Sequence, residues 1–380
     1  MRQTNITSGI DFFCCLYYCV PIHDGAKTGG YELRKGSREM TGKNKTRSFK
    51  YRIALLSVAA LMILAARGYL LMRTSSGVPP EKLTLAYSTP PYTVLIDIAE
   101  NRGYFLQEGL EVTPQVYAYG KLAFDALLEG KADIATVGET PFVLAVMKGN
   151  KLSVLATIQT SHKNNAIIAR KDKGILAPPD LKGRKIGTTF GTIGEFFMDA
   201  FLVSHGISRK SMKVVNLAPE AMENALTNGD VDAVSSWSPD VVPLLKELGD
   251  KGTAFYDADI YTQTFSVVAN QEYISKNAGR VNRLIRALVQ AEEFAHQNPV
   301  EAQKIIAARS GTDVASIGSM WDDNTFSVTL DQSLLLAMED ESRWAIKNRL
   351  VSQTRVPNYL DFIYRDGLES VNPKAVRILR

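Results

Sequence analysis

Between Leu83 and Ala269 short apolar, β-rich runs alternate with stretches whose apolar residues recur at helical spacing. The pattern predicts strands at 83–88, 110–117 and 133–137, separated by helices at 94–102 and 121–128. A helix at 142–148 is followed by strands at 153–159 and 166–170 and by a Pro-Pro-Asp turn at 178–180. The rhythm then restarts, with strands at 185–188, 212–217 and 232–236 and helices at 194–205 and 220–226. A strand at 264–269 precedes helical patterns at 281–297, 299–309 and 331–348. Alternation of this kind argues for α/β lobes built on parallel sheets. The late strand and helices return most economically to the first lobe, which gives two chain crossings, near residues 170 and 264. The expected organisation is lobe 1 at 83–170, lobe 2 at 171–263, and a return to lobe 1 with C-terminal helices over 264–380.

One phrase occurs twice. Residues 126–133 read ALLEGKAD and residues 225–232 read ALTNGDVD, each ending a helical stretch, turning at Gly130 or Gly229, and entering a short strand. Glycine just past a helix supplies a left-handed cap, and a short β-rich run behind it suits a buried parallel strand. Gly138-Glu-Thr-Pro141 follows one strand and Trp237-Ser-Pro239 the other, so proline stands near the start of the next helix in both copies. Loops at strand carboxyl ends are where such sheets bind ligands. Two copies imply two similar lobes facing one cleft, with Gly138 and Trp237 opposite each other.

Five phrases in order carry a family resemblance: 99–112 (AENRGYFLQEGLEV), the first repeat with Gly138-Glu-Thr-Pro141, 180–197 (DLKGRKIGTTFGTIGEFF), 228–239 (NGDVDAVSSWSP) and 326–335 (FSVTLDQSLL). From about Leu83 to the C-terminus the chain resembles the periplasmic solute-binding proteins of ABC importers of the nitrate, sulfonate and taurine group. The resemblance implies a two-lobed venus-flytrap (periplasmic-binding-protein) fold. It also implies capture of a small solute between the lobes and delivery to a membrane permease with a cytoplasmic ATPase. The expected form is a monomer. The alternative is an enzyme or ligand sensor on the same two-lobed fold, for example in thiamine-pyrimidine metabolism.

Candidate contacts cluster at strand ends. In 188–194 (TTFGTIG) glycines allow backbone approach, and the helix that opens there favours a negative group. An ordinary glycine-rich turn with Thr192 as N-cap fits the same residues. The resemblance favours binding, with Phe190, Gly191 and Thr192 as contacts. Ser88 and Tyr92 follow the first strand. Gly138, Glu139 and Thr140 occupy the first repeat's strand end, and Trp237 and Ser238 the second's. An indole there covers an alkyl stem while its N–H points outward. Tyr261 and Thr262 precede the returning strand. Glu139 repels an anion unless it is turned away, paired or used for an amino group, which leaves a zwitterion or amine-bearing ligand in play. Lys121 is the nearest basic residue from lobe 1, and a solvated surface position suits it better.

Charge changes the picture only at the N-terminus. Residues 1–80 carry twelve Lys/Arg against four Asp/Glu, leaving 32 against 36 beyond, so the globular part asks for no nucleic-acid partner. Residues 1–52 are expected to be a basic, disordered segment, and Met40 makes a more ordinary start than Met1. The apolar run at 53–72, preceded by basic residues, reads as a cleaved export signal or a retained membrane anchor, with 73–82 as linker. Either reading places the body in the periplasm or otherwise outside the cytoplasm.

Catalytic chemistry finds little footing. Cys14, Cys15 and Cys19 all lie before the apolar run, so the body offers no thiol nucleophile and no thiolate metal ligand. His23, His162, His205 and His296 are scattered without metal spacing, and no nucleophile elbow or dinucleotide fingerprint occurs. No catalytic residue, metal or cofactor is expected.

Overall fold

The protein is described by a computed structural model over residues 79–379. The expectations for the basic segment, the apolar run at 53–72 and most of the linker fall outside those residues. Among the described residues no helix is long and apolar enough to cross a membrane.

The first half of the chain runs β1 (Glu81–Tyr87), α1 (Val94–Asn101), β2 (Leu110–Val116), α2 (Gly120–Leu128), β3 (Ile134–Gly138), α3 (Glu139–Met147) and β4 (Leu152–Ser161). It then continues through β5 (Asn165–Arg170), β6 (Lys185–Thr188), α4 (Ile193–Ser204), β7 (Lys213–Asn216), α5 (Pro219–Thr227), β8 (Ala233–Trp237), α6 (Val241–Leu248) and β9 (Gly252–Phe255). Last come β10 (Gln263–Asn270), α7 (Gln271–Gln297), α8 (Pro299–Ser310), α9 (Val314–Asp322), α10 (Gln332–Lys347) and α11 (Arg365–Val371).

These strands form two five-stranded sheets with the same plan, β2-β1-β3-β10-β4 and β7-β6-β8-β5-β9. The parallel sheets expected from the alternation are instead mixed. β1 pairs in parallel with β2 and β3, whereas β10 runs antiparallel to β3 and β4. β6 pairs in parallel with β7 and β8, whereas β5 runs antiparallel to β8 and β9. The antiparallel member of each sheet is the strand arriving from the other lobe. It enters from the cleft side and so opposes strands whose carboxyl ends point to the cleft. The strand at 165–170, expected in lobe 1, therefore belongs to the second sheet, and the crossings lie at 162–164 and 256–262.

The repeated phrase has the same role in both lobes. Gly130 and Gly229 end α2 and α5 at φ 73° and 80°, a left-handed geometry that costs glycine little. The aspartate that follows then ties two strands together. Asp133 Oδ2 accepts from the Thr84 N–H at 2.8 Å, and Asp232 Oδ2 accepts from the Lys185 N–H at 2.9 Å. Each carboxylate fixes where β3 or β8 starts against β1 or β6, and so where its far end meets the cleft.

The first lobe's core is closed by α7, which buries Val281, Leu284, Ile285 and Leu288 at the spacing of one helix face. Arg309 on α8 pairs with Asp97 and Glu100 of α1. The second lobe has its own smaller core around Ile168, Leu226, Val234 and Leu244. α10 reaches across to that lobe, where the Trp344 indole N–H donates to Asp199 Oδ2 at 2.7 Å and its ring meets Phe196 edge-on.

Candidate functional site

The carboxyl ends of β1, β2, β3 and β8 meet the α4 N-terminus around a narrow cavity of about 30 Å³. Tyr92, Tyr119, Gly138 and Lys121 come from the first lobe; Thr192, Ile193 and Trp237 come from the second. Phe265 on β10 forms part of the floor, and its ring stacks on Tyr92 with centroids 4.6 Å apart. Tyr119 and Trp237 lie 6.3 Å apart, tilted by 55°. Gly138 and Trp237 share this cavity, as the repeat implies.

Two contacts hold the lobes together here. The Tyr92 hydroxyl donates to the Ser238 carbonyl at 2.6 Å. Gly138 lies directly against Ile193, and a Cβ at Gly138 would overlap the Ile193 Cδ1. The site is therefore seen in a closed arrangement in which any side chain at Gly138 would have to push the Ile193 tip aside.

The turn expected to seat an anion is occupied by the chain itself. The Phe190 N–H donates to Asn216 Oδ1 at 2.9 Å, and the Gly191 N–H donates to Glu195 Oε2 at 2.8 Å. The Thr192 hydroxyl donates to the Thr189 carbonyl at 2.7 Å. Glu195 is in turn held by Arg209, whose guanidinium also pairs with Asp199. Gly191, at φ 71°, serves a left-handed turn position. Thr192 faces the cavity, whereas Phe190 is 40% exposed and lies under the Arg209 guanidinium outside it.

Glu139 is turned away from the cleft. Its carboxylate accepts from the Tyr261 hydroxyl and from the Thr264 N–H at 3.1 Å, in a buried niche that also holds Glu341. Burial pushes both carboxyls well above the usual range, and the Glu139 charge raises Glu341 further. Tyr261 is committed to that niche, and Thr140 is buried within α3. The Thr262 hydroxyl meets His162 Nδ1 at 3.0 Å. Neither Tyr261 nor Thr262 lines the cavity.

A second compartment of about 260 Å³ opens from the same aromatic wall, sharing Tyr92, Tyr119 and Trp237. Ser88 is 1% exposed there, and its hydroxyl has no hydrogen-bond partner among the described residues. Glu220, Glu223 and Asp240 complete the wall. Burial pushes the Asp240 carboxyl up, and the neighbouring Glu223 charge adds to it. Burial raises the Tyr119 phenol too, helped by the charges of Glu220 and Asp125.

Of the residues expected from sequence, Ser88, Tyr92, Gly138, Thr192 and Trp237 line the two compartments, and Ser238 contributes its carbonyl to Tyr92. Tyr119, Phe265 and the three carboxylates were not anticipated. Tyr119 was within reach, since it follows β2 just as Ser88 follows β1. Phe265 was not, because β10 is antiparallel and brings its amino end to the cleft. Lys121 lines the cavity after all, with its ammonium 2.6 Å from Asp125.

A protein-family model described as NMT1/THI5 like matches residues 90–302. The chain is 27% identical over 231 residues to a putative binding protein of Brucella abortus, covering 59% of this chain and 70% of that one. It is 25% identical over 222 residues to the taurine-binding periplasmic protein of Escherichia coli, covering 57% and 67%. The periplasmic aliphatic sulphonate binding protein SsuA of Escherichia coli has the same fold, with a TM-score of 0.64 at 18% identity over 76% of this chain and 98% of that one.

Proposed function

The chain belongs to the NMT1/THI5-like family, and on that premise we propose that it is the extracytoplasmic solute-binding component of an ABC importer. It captures a small solute between its lobes and presents the closed form to a membrane permease and its ATPase. The observation that carries this reading is the cavity whose walls come from both lobes, joined by the Tyr92–Ser238 and Gly138–Ile193 contacts. Only a ligand that touches both lobes favours closure over opening, and a two-sheet body with two crossings is built to hinge in that way. The names of the similar proteins, a putative binding protein and a taurine-binding protein, agree with it.

The solute class expected from the resemblance was sulfonate, taurine or nitrate-like. The structure supports a solute with a flat or apolar body more than a bare oxyanion. Four aromatic rings line the cavity, and the N–H groups of Phe190 and Gly191 are already taken by Asn216 and Glu195. An inorganic anion would gain few contacts from such walls, whereas a ring or alkyl stem gains many.

Mass spectrometry of the small molecule retained by gently purified protein tests the reading, with small-angle scattering of stripped and reloaded protein to follow closure. A retained solute that compacts the particle supports a binding protein. Conversion of that solute on incubation would favour the enzyme reading, and the absence of any compound that compacts the protein would refute solute capture.

A further inference from the structure

We infer that the solute carries a positively charged amino group, seated in the compartment walled by Ser88, Glu220, Glu223 and Asp240, with its body among the rings of Tyr92, Tyr119 and Trp237. This deepens the solute-binding reading and rests on it.

The first observation is charge. The two connected compartments are lined by one cation, Lys121, against three carboxylates, and Lys121 is already paired with Asp125 at 2.6 Å. No ion pair joins Glu220, Glu223 or Asp240 to a basic side chain among the described residues. Two of the carboxylates crowd each other, since the Glu223 charge acts on a partly buried Asp240. A cationic ligand relieves that crowding, and an anionic one worsens it.

The second observation is independent of charge. Ser88 is buried, faces the same compartment, and its Oγ lacks any partner among the described residues. Buried hydroxyls are nearly always satisfied, so this hydroxyl, which both donates and accepts, marks a place for a polar group that the protein does not supply. An ammonium would donate to it and a sulfonate would accept from it, so the hydroxyl marks a polar contact and the carboxylates beside it set the sign. The third is the aromatic wall. Ring faces attract cations, and a site that joins several rings to carboxylates favours an organic cation over an apolar molecule of the same shape.

Titration calorimetry with phenethylamine, phenethyl alcohol and phenylethanesulfonate separates charge from shape, because the three share one stem. The amine is expected to bind about tenfold or more tightly than the alcohol, and the sulfonate more weakly than either. The double variant Glu223→Gln/Asp240→Asn, altered at positions that are not fully buried, should reduce amine affinity about tenfold and leave the alcohol unchanged. Ser88→Ala should weaken the amine. Equal affinity for amine and alcohol, preference for the sulfonate, or an unaffected double variant would overturn the inference. So would an anionic retained solute, which would leave the solute-binding reading standing. Protein that compacts with neither the probes nor any retained compound would overturn both.

Discussion

The hydroxyl of Tyr92 and the carbonyl of Ser238 meet at 2.6 Å although they lie 146 residues apart and belong to different lobes. Each stands just past the cleft end of a strand, β1 and β8. The bond forms only when the lobes are together, so it contributes to closure and not to the folding of either lobe. Tyr92→Phe keeps the ring on Phe265 and removes the bond. A neutral hydrogen bond contributes about 0.5–1.5 kcal/mol net, so ligand affinity should fall roughly two- to tenfold. The unfolding temperature should hardly move. Calorimetry beside thermal unfolding checks this, and a large loss of thermal stability would show that the bond supports the lobe itself.

Gly138 should be the tightest steric constraint on closure. Its φ of −75° suits any residue, so alanine is compatible with the backbone of lobe 1. Its methyl group would nevertheless strike Ile193 of the other lobe. Gly138→Ala should weaken binding by about 1–3 kcal/mol, the usual cost of overpacking. Gly138→Ala/Ile193→Ala should recover most of it, and strictly additive losses in that cycle would argue against a direct clash.

The buried pair behind the cleft predicts a pH dependence. Burial pushes the Glu139 carboxyl up to about 8 from an ordinary 4.5, so the folded protein holds a proton that the unfolded chain has released. The resulting stability is fully present below about 4.5 and is lost as the pH rises through about 8. Each extra proton held by the folded state corresponds to a slope of about 1.4 kcal/mol per pH unit in that window. Glu139→Gln, which keeps an acceptor for Tyr261 and Thr264, should flatten the decline. Urea titrations across the window measure it, and an identical slope in the variant would mean that the proton sits elsewhere.

The repeated aspartates should be equivalent in energy as well as in place. Asp133→Ala and Asp232→Ala each leave a backbone N–H, at Thr84 or Lys185, without its carboxylate. Each change should cost about 1.5–3 kcal/mol of stability. If denaturant unfolding showed one of them to be neutral, the shared role of the two phrases would fail in that lobe.

The alternation of apolar runs determined most of this fold locally. Strand and helix periods, glycine stops at 130 and 229, and the doubled phrase are all short-range signals, and the body follows them closely from β1 to β8. Ser88, Tyr92, Gly138 and Trp237 were legible for the same reason, because residues just past a strand's carboxyl end face the cleft in a parallel sheet. Tertiary structure decided what depends on long-range pairing. β5 and β10 take their sheets from the lobe they cross into, which no local period encodes, and their reversed direction brings Phe265 to the cleft from its strand's amino end. Whether a polar group is available also follows from its neighbours. Glu195 satisfies Gly191, Asn216 satisfies Phe190, and Tyr261 draws Glu139 into a buried niche, whereas Ser88 is left without a partner among the described residues. Hydrogen-bond supply and demand balance only once distant segments have packed, so the chain's pattern marked where the cleft lies and the packing set its charge.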